Sequence, residues 1–426
     1  MSGGPDRGRG TPAPGAAATG GGVTVVGVDG GPPSPRAVAA LAAARVVLGG
    51  RRQLDEAAPL LAPAARRVPL TGELARGFAA LGGARPAVVL ASGDPGFFGV
   101  VRALTAALGP VEVVPTASSV TRAFAAAGLP WDDAVVVSAH GRDPARAVNA
   151  CRRHPKVAVL TGPGFGPVEL GAALAGTGRR LVVAERLGSP GERVTETTPA
   201  GAARGGWAEP NVVLALDPAA GPAGRGWAFP ARSTPDRWAL DEDAFEHPGR
   251  MITKREVRAL ALAWLGPGLG DLVWDVGAGS GSVAVECARL GAAAVAVEAD
   301  PARCAAVRAN ARAHGVPVEV VEGRAPQALA GLPDPDAVFV GGGGERLGAI
   351  LEVAAARARR AVVVALATVE RVGGAQRALA AAGLEVTGSL VQSSRLVPVL
   401  PGAGGGGGGH RLAAANPVLL LCGRRP

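Results

Sequence analysis

The stretch from Asp271 to Asp300, DLVWDVGAGSGSVAVECARLGAAAVAVEAD, constrains the fold of this chain more than any other. It opens on Leu272-Val273-Trp274, an apolar run of the kind that forms a strand buried on both faces. The run meets Asp275 and then Gly277-Ala278-Gly279-Ser280-Gly281, after which Val283, Val285, Cys287 and Ala288 fall at helical spacing. Strand, glycine turn and helix make the first half of a nucleotide-binding βαβ unit, in which glycine lets the backbone approach a ligand closely. A second buried strand, Ala293 to Val297, ends in Glu298 and Asp300, where an acid can accept hydrogen bonds from ribose hydroxyls.

The glycine spacing separates two classes of ligand. A dinucleotide site asks for G-x-G-x-x-G, but here the glycines are Gly277, Gly279 and Gly281, with Ser282 in the place of the late one. Asp275 stands just before the turn and suits a ligand with a cationic amino-acid end better than a diphosphate. This pattern resembles the Rossmann-like methyltransferases that bind S-adenosylmethionine. The resemblance implies a donor site at Gly277, Ala278, Gly279, Ser280, Gly281 and Glu298, with adenine near Ala325.

The length of 426 residues implies two domains. Eight of the nine net positive charges fall before residue 241, and such a basic half attracts a polyanion. Aromatic residues are only 3% of the chain and no basic cluster is dense. That counts against a nucleic-acid partner, and a small molecule bearing many carboxylates fits the charge equally well. Cys151, Cys287, Cys304 and Cys422 lie far apart without metal spacing and read as reduced core thiols of a cytoplasmic protein. No metal site and no membrane span is expected, and residues 1–22 read as a disordered tail without a signal-peptide core.

Residues 23–217 read as two successive α/β sets. Val23–Val28 is a strand, broken by Asp29 to Pro33 and followed by a helix with Ser34 as its N-cap. Further strands are Arg45–Leu48, Ala87–Ala91 and Val111–Val114, then Ala134–Ser138, Lys156–Leu160, Arg180–Ala184 and Asn211–Leu216. Ser92-Gly93-Asp94-Pro95-Gly96-Phe97-Phe98-Gly99 sits at a strand's carboxyl end, where open α/β sheets bind ligands. That loop, Pro115-Thr116-Ala117-Ser118-Ser119-Val120 and Gly49-Gly50-Arg51-Arg52 resemble the tetrapyrrole methylases. The branch that methylates corrin precursors at C5 is closest, through Trp131 and its neighbours and through His140-Gly141-Arg142. The resemblance implies a bilobed domain binding S-adenosylmethionine at Gly93, Asp94, Pro95, Ser118 and Ser119. The chain departs from that family at its first loop, where Asp29 follows Gly27-Val28. Several of these residues also have plainer readings. Asp94, Ser118 and Ser119 suit helix caps, His140 a hydrogen-bonded loop, and Arg51 and Arg52 a solvated surface.

Residues 218–240 are rich in proline, glycine and alanine and read as a linker. Beyond them Thr253 and Glu256 fit a capping box for a helix reaching about Trp264. Later strands are expected at Val318–Val321, Asp336–Val340, Ala361–Leu366, Leu384–Val391 and Pro417–Leu421, with a floppy insertion at Gly402–Gly409. Gly341 to Gly344 cannot grip an exocyclic amine but leave room for a large flat acceptor. The motif from Phe245 to Ala259, together with Trp274 to Glu286, resembles the enzymes that methylate corrin precursors at C15 and decarboxylate the C12 acetate. It implies that Thr253 touches the donor from an N-terminal arm. The two resemblances in this order imply an α/β chain with a bilobed tetrapyrrole-methylase domain (23–217) and a seven-stranded Rossmann-like methyltransferase domain (241–426). They also imply a tetrapyrrole partner and a homo-oligomer.

Overall fold

The computed structural model of the chain describes residues 22–70, 74–220, 237–247, 252–398 and 409–426. Most of the expected tail and linker, four residues of the Phe245–Ala259 motif (248–251), and the glycine insertion up to Gly408 lie outside the described residues. The chain divides into two compact units. One is Met1–Leu129 with Ala184–Val194 and Ala208–Val212; the other is Pro130–Val183 with Thr195–Trp207 and Val213–Pro426.

The first unit is built on strands β1 (Val23–Val28), β2 (Val46–Gly49), β3 (Arg66–Pro69), β4 (Ala87–Ser92) and β5 (Glu112–Val114), in the order β3-β2-β4-β1-β5. Every neighbouring pair in this sheet is parallel, with Val25 opposite Val89. Alternate residues enter opposite layers, as the two-residue period of a strand requires. Val25, Leu48 and Val89 pack with Leu104 on one face, and Val26, Val47 and Leu90 pack with Leu41 on the other. Ser34 caps the helix Pro35–Ala43 by accepting the Ala37 amide, as expected. Strand β3 was not expected. Its Arg66-Arg67-Val68-Pro69 shows no apolar alternation, and an edge position explains how a proline is tolerated there.

A second five-stranded sheet holds β6 (Val135–Ser138), β7 (Lys156–Leu160), β8 (Arg180–Glu185), β9 (Arg193–Thr197) and β10 (Asn211–Leu216), in the order β6-β7-β10-β8-β9. The charged edge strand β9 was likewise not foreseen. Arg193 donates two hydrogen bonds to the Glu185 carboxylate, at 2.6 and 2.8 Å.

The largest sheet contains β11 (Leu272–Val276), β12 (Ala293–Glu298), β13 (Glu319–Glu322), β14 (Ala337–Val340), β15 (Ala361–Leu366) and β16 (Glu385–Val391). A hairpin of β17 (Ser394–Pro398) and β18 (His410–Ala414) precedes the last strand, β19 (Val418–Arg424). The order is β13-β12-β11-β14-β15-β19-β16, parallel except for β19. Leu272, Trp274 and Val276 face the layer of Ile350 and Leu351, while Val273 and Phe339 face that of Leu262 and Val283. Fully burying one such side chain stabilises the fold by roughly 1.5–3 kcal/mol. The strand order reverses between β11 and β14, so their carboxyl ends splay and open a crevice. In the same unit, Asn149 donates to the Gly270 carbonyl oxygen at 3.1 Å and Arg153 to that of Ala288, fastening the helix Pro144–Arg153 against this sheet's layers.

All four cysteines are free and buried, and burial pushes the Cys151 thiol up to about 12. Among the described residues no helix is long and apolar enough to cross a membrane.

Candidate functional site

A cavity of about 910 Å³ opens over the carboxyl ends of β11, β12, β13 and β14. Six residues singled out in the sequence line it: Thr253, Gly277, Ala278, Gly279, Glu298 and Ala325. Its floor is the turn after β11, where Gly277 has φ +72° and a methyl group would come within 3.1 Å of the Gly342 amide nitrogen. The loops after β11 and β14 therefore touch through bare backbone, and Gly341 donates to the Val276 carbonyl oxygen at 2.9 Å.

Ser280 and Gly281 stand behind the wall. The Ser280 hydroxyl is buried without a partner, and the Ser280 carbonyl oxygen accepts from Asn310. Gly281, at φ +72°, caps the helix Ser282–Arg289, and a methyl group there would meet Val307 at 2.6 Å. Its smallness serves helix packing, not ligand approach.

Glu298 organises the site electrostatically. One carboxylate oxygen accepts the Gly279 amide at 2.9 Å, and the other accepts the amides of Ala299 at 2.9 Å and Asp300 at 3.1 Å. The first oxygen keeps a lone pair for a ligand hydroxyl. Asp275 behaves differently from the expectation. It does not line the cavity; it is 1% exposed and accepts the Ala284 amide at 2.9 Å. Burial raises its carboxyl to about 7, with the nearby Glu298 charge adding to the rise and the Ala284 amide opposing it. Alternation places Asp275 on the opposite face of β11 from Trp274 and Val276, beneath the helix rather than under a ligand's ammonium.

The arm over the cavity is built by long-range ion pairs. The helix Arg255–Leu265 has Lys254 at its N-cap with no side-chain cap bond, so the expected capping box does not form. The Glu256 carboxylate is drawn instead to Arg395 of β17, at 2.7 and 3.2 Å. Arg395 also donates to both oxygens of Glu242, and that guanidinium, against the opposing effect of burial, holds the Glu242 carboxyl down to about 2. Arg258 donates to the Thr253 carbonyl oxygen at 2.7 Å, fixing that residue in the wall. Sequence reasoning missed Arg395, Val397 and Ala413, the hairpin's contribution to the cavity, because their strands carry no apolar run. Asn416, just before the last strand, also lines it.

In the first unit, a methyl group on Gly27 would meet the Gly93 carbonyl oxygen at 2.8 Å, Thr116 at 2.8 Å and Pro95 at 3.1 Å, so the loops after β4 and β5 converge there. Gly93 lies against Ser118 and Ser119. Ser118 is an N-cap that accepts the Thr121 amide at 3.0 Å, and Ser119 is the first residue of that helix. Asp94 accepts the Gly96 amide at 2.7 Å, closing its own loop without capping a helix. None of Gly93, Asp94, Pro95, Ser118 and Ser119 lines the neighbouring cavity of about 390 Å³, whose walls include Asp29, Gln53, Thr116 and Ser189. Asp29 accepts two bonds from Arg122, at 2.6 and 3.1 Å, and the Gly31 amide at 3.0 Å. Burial pushes its carboxyl up, but Arg122, Thr116 and Gly31 together hold it below the usual carboxylate range. Arg52 pairs with Glu56 at the surface, 3.6 Å away, and His140 is exposed.

Two family models match successive parts of the chain. Residues 23–203 match the family described as tetrapyrrole (corrin/porphyrin) methylases, and residues 243–399 match the precorrin methyltransferase domain. A Sinorhizobium sp protein named precorrin-6Y C(5,15)-methyltransferase (decarboxylating) is 43% identical over 326 residues, 74% of this chain and 76% of that one. The chain belongs to that family. A Mycobacterium tuberculosis protein of the same name is 38% identical over 266 residues, covering 60% of this chain and 63% of its own length. A cobalt-precorrin-7 C(5)-methyltransferase from Salmonella typhimurium is 36% identical over 135 residues, 30% of this chain and 65% of that one.

Precorrin-6Y C(5,15)-methyltransferases are S-adenosylmethionine-dependent enzymes. The larger cavity fits that group on its own geometry. Gly277 and Gly279 leave bare backbone where a side chain would fill the floor, and the Glu298 carboxylate has acceptor capacity left at the adjoining wall. For a precorrin-6Y C(5,15)-methyltransferase, the glycine run after β14 then supplies open space on the side of the crevice across from β12.

Proposed function

We propose that this chain methylates a corrin precursor twice, residues 23–217 acting at C5 and residues 241–426 at C15, where the carboxyl group of the C12 acetate is lost as carbon dioxide and a methyl group remains. The overall conversion is of precorrin-6B (6Y) to precorrin-8X. The observation that carries the reading is the glycine-floored cavity at the β11/β14 switch point, in the same chain as the converging Gly27, Gly93 and Ser118 loops.

In the second domain, Gly277, Ala278 and Gly279 would hold the donor's main body, Glu298 its ribose hydroxyls, Ala325 its adenine, and Thr253 would cover it from the arm. In the first domain, Gly93, Asp94, Pro95, Ser118 and Ser119 would take the same role. When bound, S-adenosylmethionine supplies an electrophilic methyl group. The chain's part is to place the acceptor carbon in line with it, about 3 Å away, with water excluded. Among the described lining residues Glu298 is the single carboxylate, and three backbone amides already occupy it; the wall contains no histidine, cysteine or tyrosine. The electron push therefore comes from the ring nitrogens of the reduced macrocycle, and the conjugated imine of the same ring accepts the electrons that carbon dioxide leaves behind. Catalysis in this reading is positioning.

Mass spectrometry of the product made by the full chain from precorrin-6B and S-adenosylmethionine tests it. Two methyl gains with loss of one carbon dioxide are expected. Glu298→Ala should leave a product with one methyl gain and its carboxyl intact. A product without decarboxylation in the unaltered protein would overturn the assignment.

A further inference from the structure

Among the described residues five cationic side chains line the larger cavity, against the single carboxylate of Glu298. Two of the five are neutralised by neighbours. Arg395 binds Glu242 and Glu256, and Arg303 lies 3.7 Å from Asp300. The other three, Lys254, Arg324 and Arg346, make no hydrogen bond or ion pair with a described residue. They come from three separate elements: the arm, the loop after β13 and the loop after β14. Strands β13 and β14 are separated by β12 and β11, so the two arginine-bearing loops leave the sheet about 14 Å apart at the usual strand spacing.

The methyl donor does not account for these charges. It carries one carboxylate, one ammonium and one sulfonium, a net positive charge that an electropositive cavity repels. Its single carboxylate can neutralise no more than one of the three charges. At least two charges are left over; Arg324 and Arg346 follow strands on opposite sides of β11 and its glycine turn, and a water-facing guanidinium is best matched by a planar carboxylate.

We propose that Lys254, Arg324 and Arg346 form an acceptor-holding set that grips carboxylates on the rim of the tetrapyrrole and so fixes which edge of the macrocycle meets the donor. The inference rests on the tetrapyrrole reading above and adds the recognition chemistry to it. Arg324 and Arg346 would take bidentate bonds from carboxylates on two different arms, while Lys254 follows as a movable point charge. The rest of the wall, largely glycine and alanine, then meets only the flat face of the ring.

The test compares uroporphyrin III, a tetrapyrrole with carboxylates around its rim, with its methyl ester, which keeps the ring and loses the charge. Binding is measured by calorimetry on the full chain saturated with S-adenosylhomocysteine, for the unaltered protein, Arg324→Met/Arg346→Met and Arg324→Lys/Arg346→Lys. Both arginines are exposed and unpaired, so the variants are expected to fold. The expected result is a preference for the acid that falls by about tenfold or more per guanidinium in the methionine pair and is largely kept in the lysine pair. S-adenosylhomocysteine affinity should stay within about twofold. An acid-to-ester ratio unchanged in the methionine pair overturns the proposal, and so does a loss of S-adenosylhomocysteine affinity as large as the loss of porphyrin affinity. A protein that shows the charge preference but transfers no methyl to precorrin-6B would leave this inference standing and remove the reaction assigned above.

Discussion

Gly279 donates its backbone amide to the Glu298 carboxylate at 2.9 Å, so the acid that ends β12 fixes the turn that ends β11. Glu298 thus faces two ways, toward a ligand hydroxyl and toward the main chain that forms the floor. Glu298→Gln keeps one acceptor oxygen and should weaken S-adenosylhomocysteine binding by about tenfold. Glu298→Ala frees three amides as well and should weaken it by roughly a hundredfold, in line with about 1.5–3 kcal/mol for a hydrogen bond to a charged group. Calorimetry on the second-domain site decides this; equal affinities for alanine variant and parent would strip Glu298 of the role.

Asp275 gives a pH signature of opposite sign to most carboxylates. Its folded-state value of about 7 lies above the ordinary 3.8, so the folded protein binds the extra proton between those limits. Stability from this group is therefore full below about pH 4 and declines as pH rises through 7, where the buried carboxylate must ionise. Asp275→Asn keeps an acceptor for the Ala284 amide and removes the charge. The variant should match the parent near pH 4 and melt at a higher temperature at pH 8. Its donor affinity should change by less than about threefold, since Asp275 lies outside the cavity wall. A large fall in donor binding would instead return Asp275 to direct ligand contact.

Two glycines of the same turn should fail in different ways. Gly281→Ala forces a methyl group to 2.6 Å from Val307 in the core, at a positive φ that already costs roughly 1–2 kcal/mol, so it should lower the denaturation midpoint. Gly277→Ala meets the Gly342 amide at 3.1 Å at the cavity floor, so it should reduce donor binding at least as much as stability. Parallel urea and calorimetric titrations separate the two; identical profiles would mean the turn responds as one unit.

Much of this geometry was legible because the residues that build it are contiguous. Leu272 to Gly281 spells strand and turn in one run, and β1, β4, β11 and β12 are apolar enough on both faces to read directly. Edge strands β3 and β9 and the hairpin β17–β18 were not legible, since their residues face solvent on one side and mix charges with apolar groups. The capping box at Thr253 misled for a related reason. Glu256 has a local partner available in the sequence, but the fold offers it Arg395, 139 residues away, with two charge-assisted bonds in place of one amide. At the other site the Ser118 N-cap was legible and forms, whereas Asp94 accepts the Gly96 amide within its own loop instead of capping a helix, and the close approach of Gly27 to Gly93 depends on strand packing that no local run of sequence shows.

The arm itself hangs on a buried ion pair. Arg258 and Glu286 are both fully buried, 3.3 Å apart, and Glu286 also accepts the amides of Ala239 at 3.0 Å and Leu240 at 2.7 Å. Arg258 returns bonds to the carbonyl oxygens of Leu240 and Thr253 and lies 4.8 Å from the Phe245 ring. One pair thus ties the start of the second domain to a cavity-wall residue. Arg258→Met leaves the buried Glu286 with Arg289, 3.5 Å away, as its remaining counter-charge and should cost up to about 3–5 kcal/mol, and Glu286→Gln strands the Arg258 guanidinium with a similar loss. The double variant removes both charges while the glutamine oxygen can still accept the two amides, so its loss should fall well short of the sum. Denaturant midpoints of the three variants measure that coupling. Donor binding supplies the functional readout, because Thr253 loses its anchor in Arg258→Met but keeps it in Glu286→Gln. Strictly additive midpoints, with both single variants binding donor alike, would mean the pair does not hold the arm over the cavity.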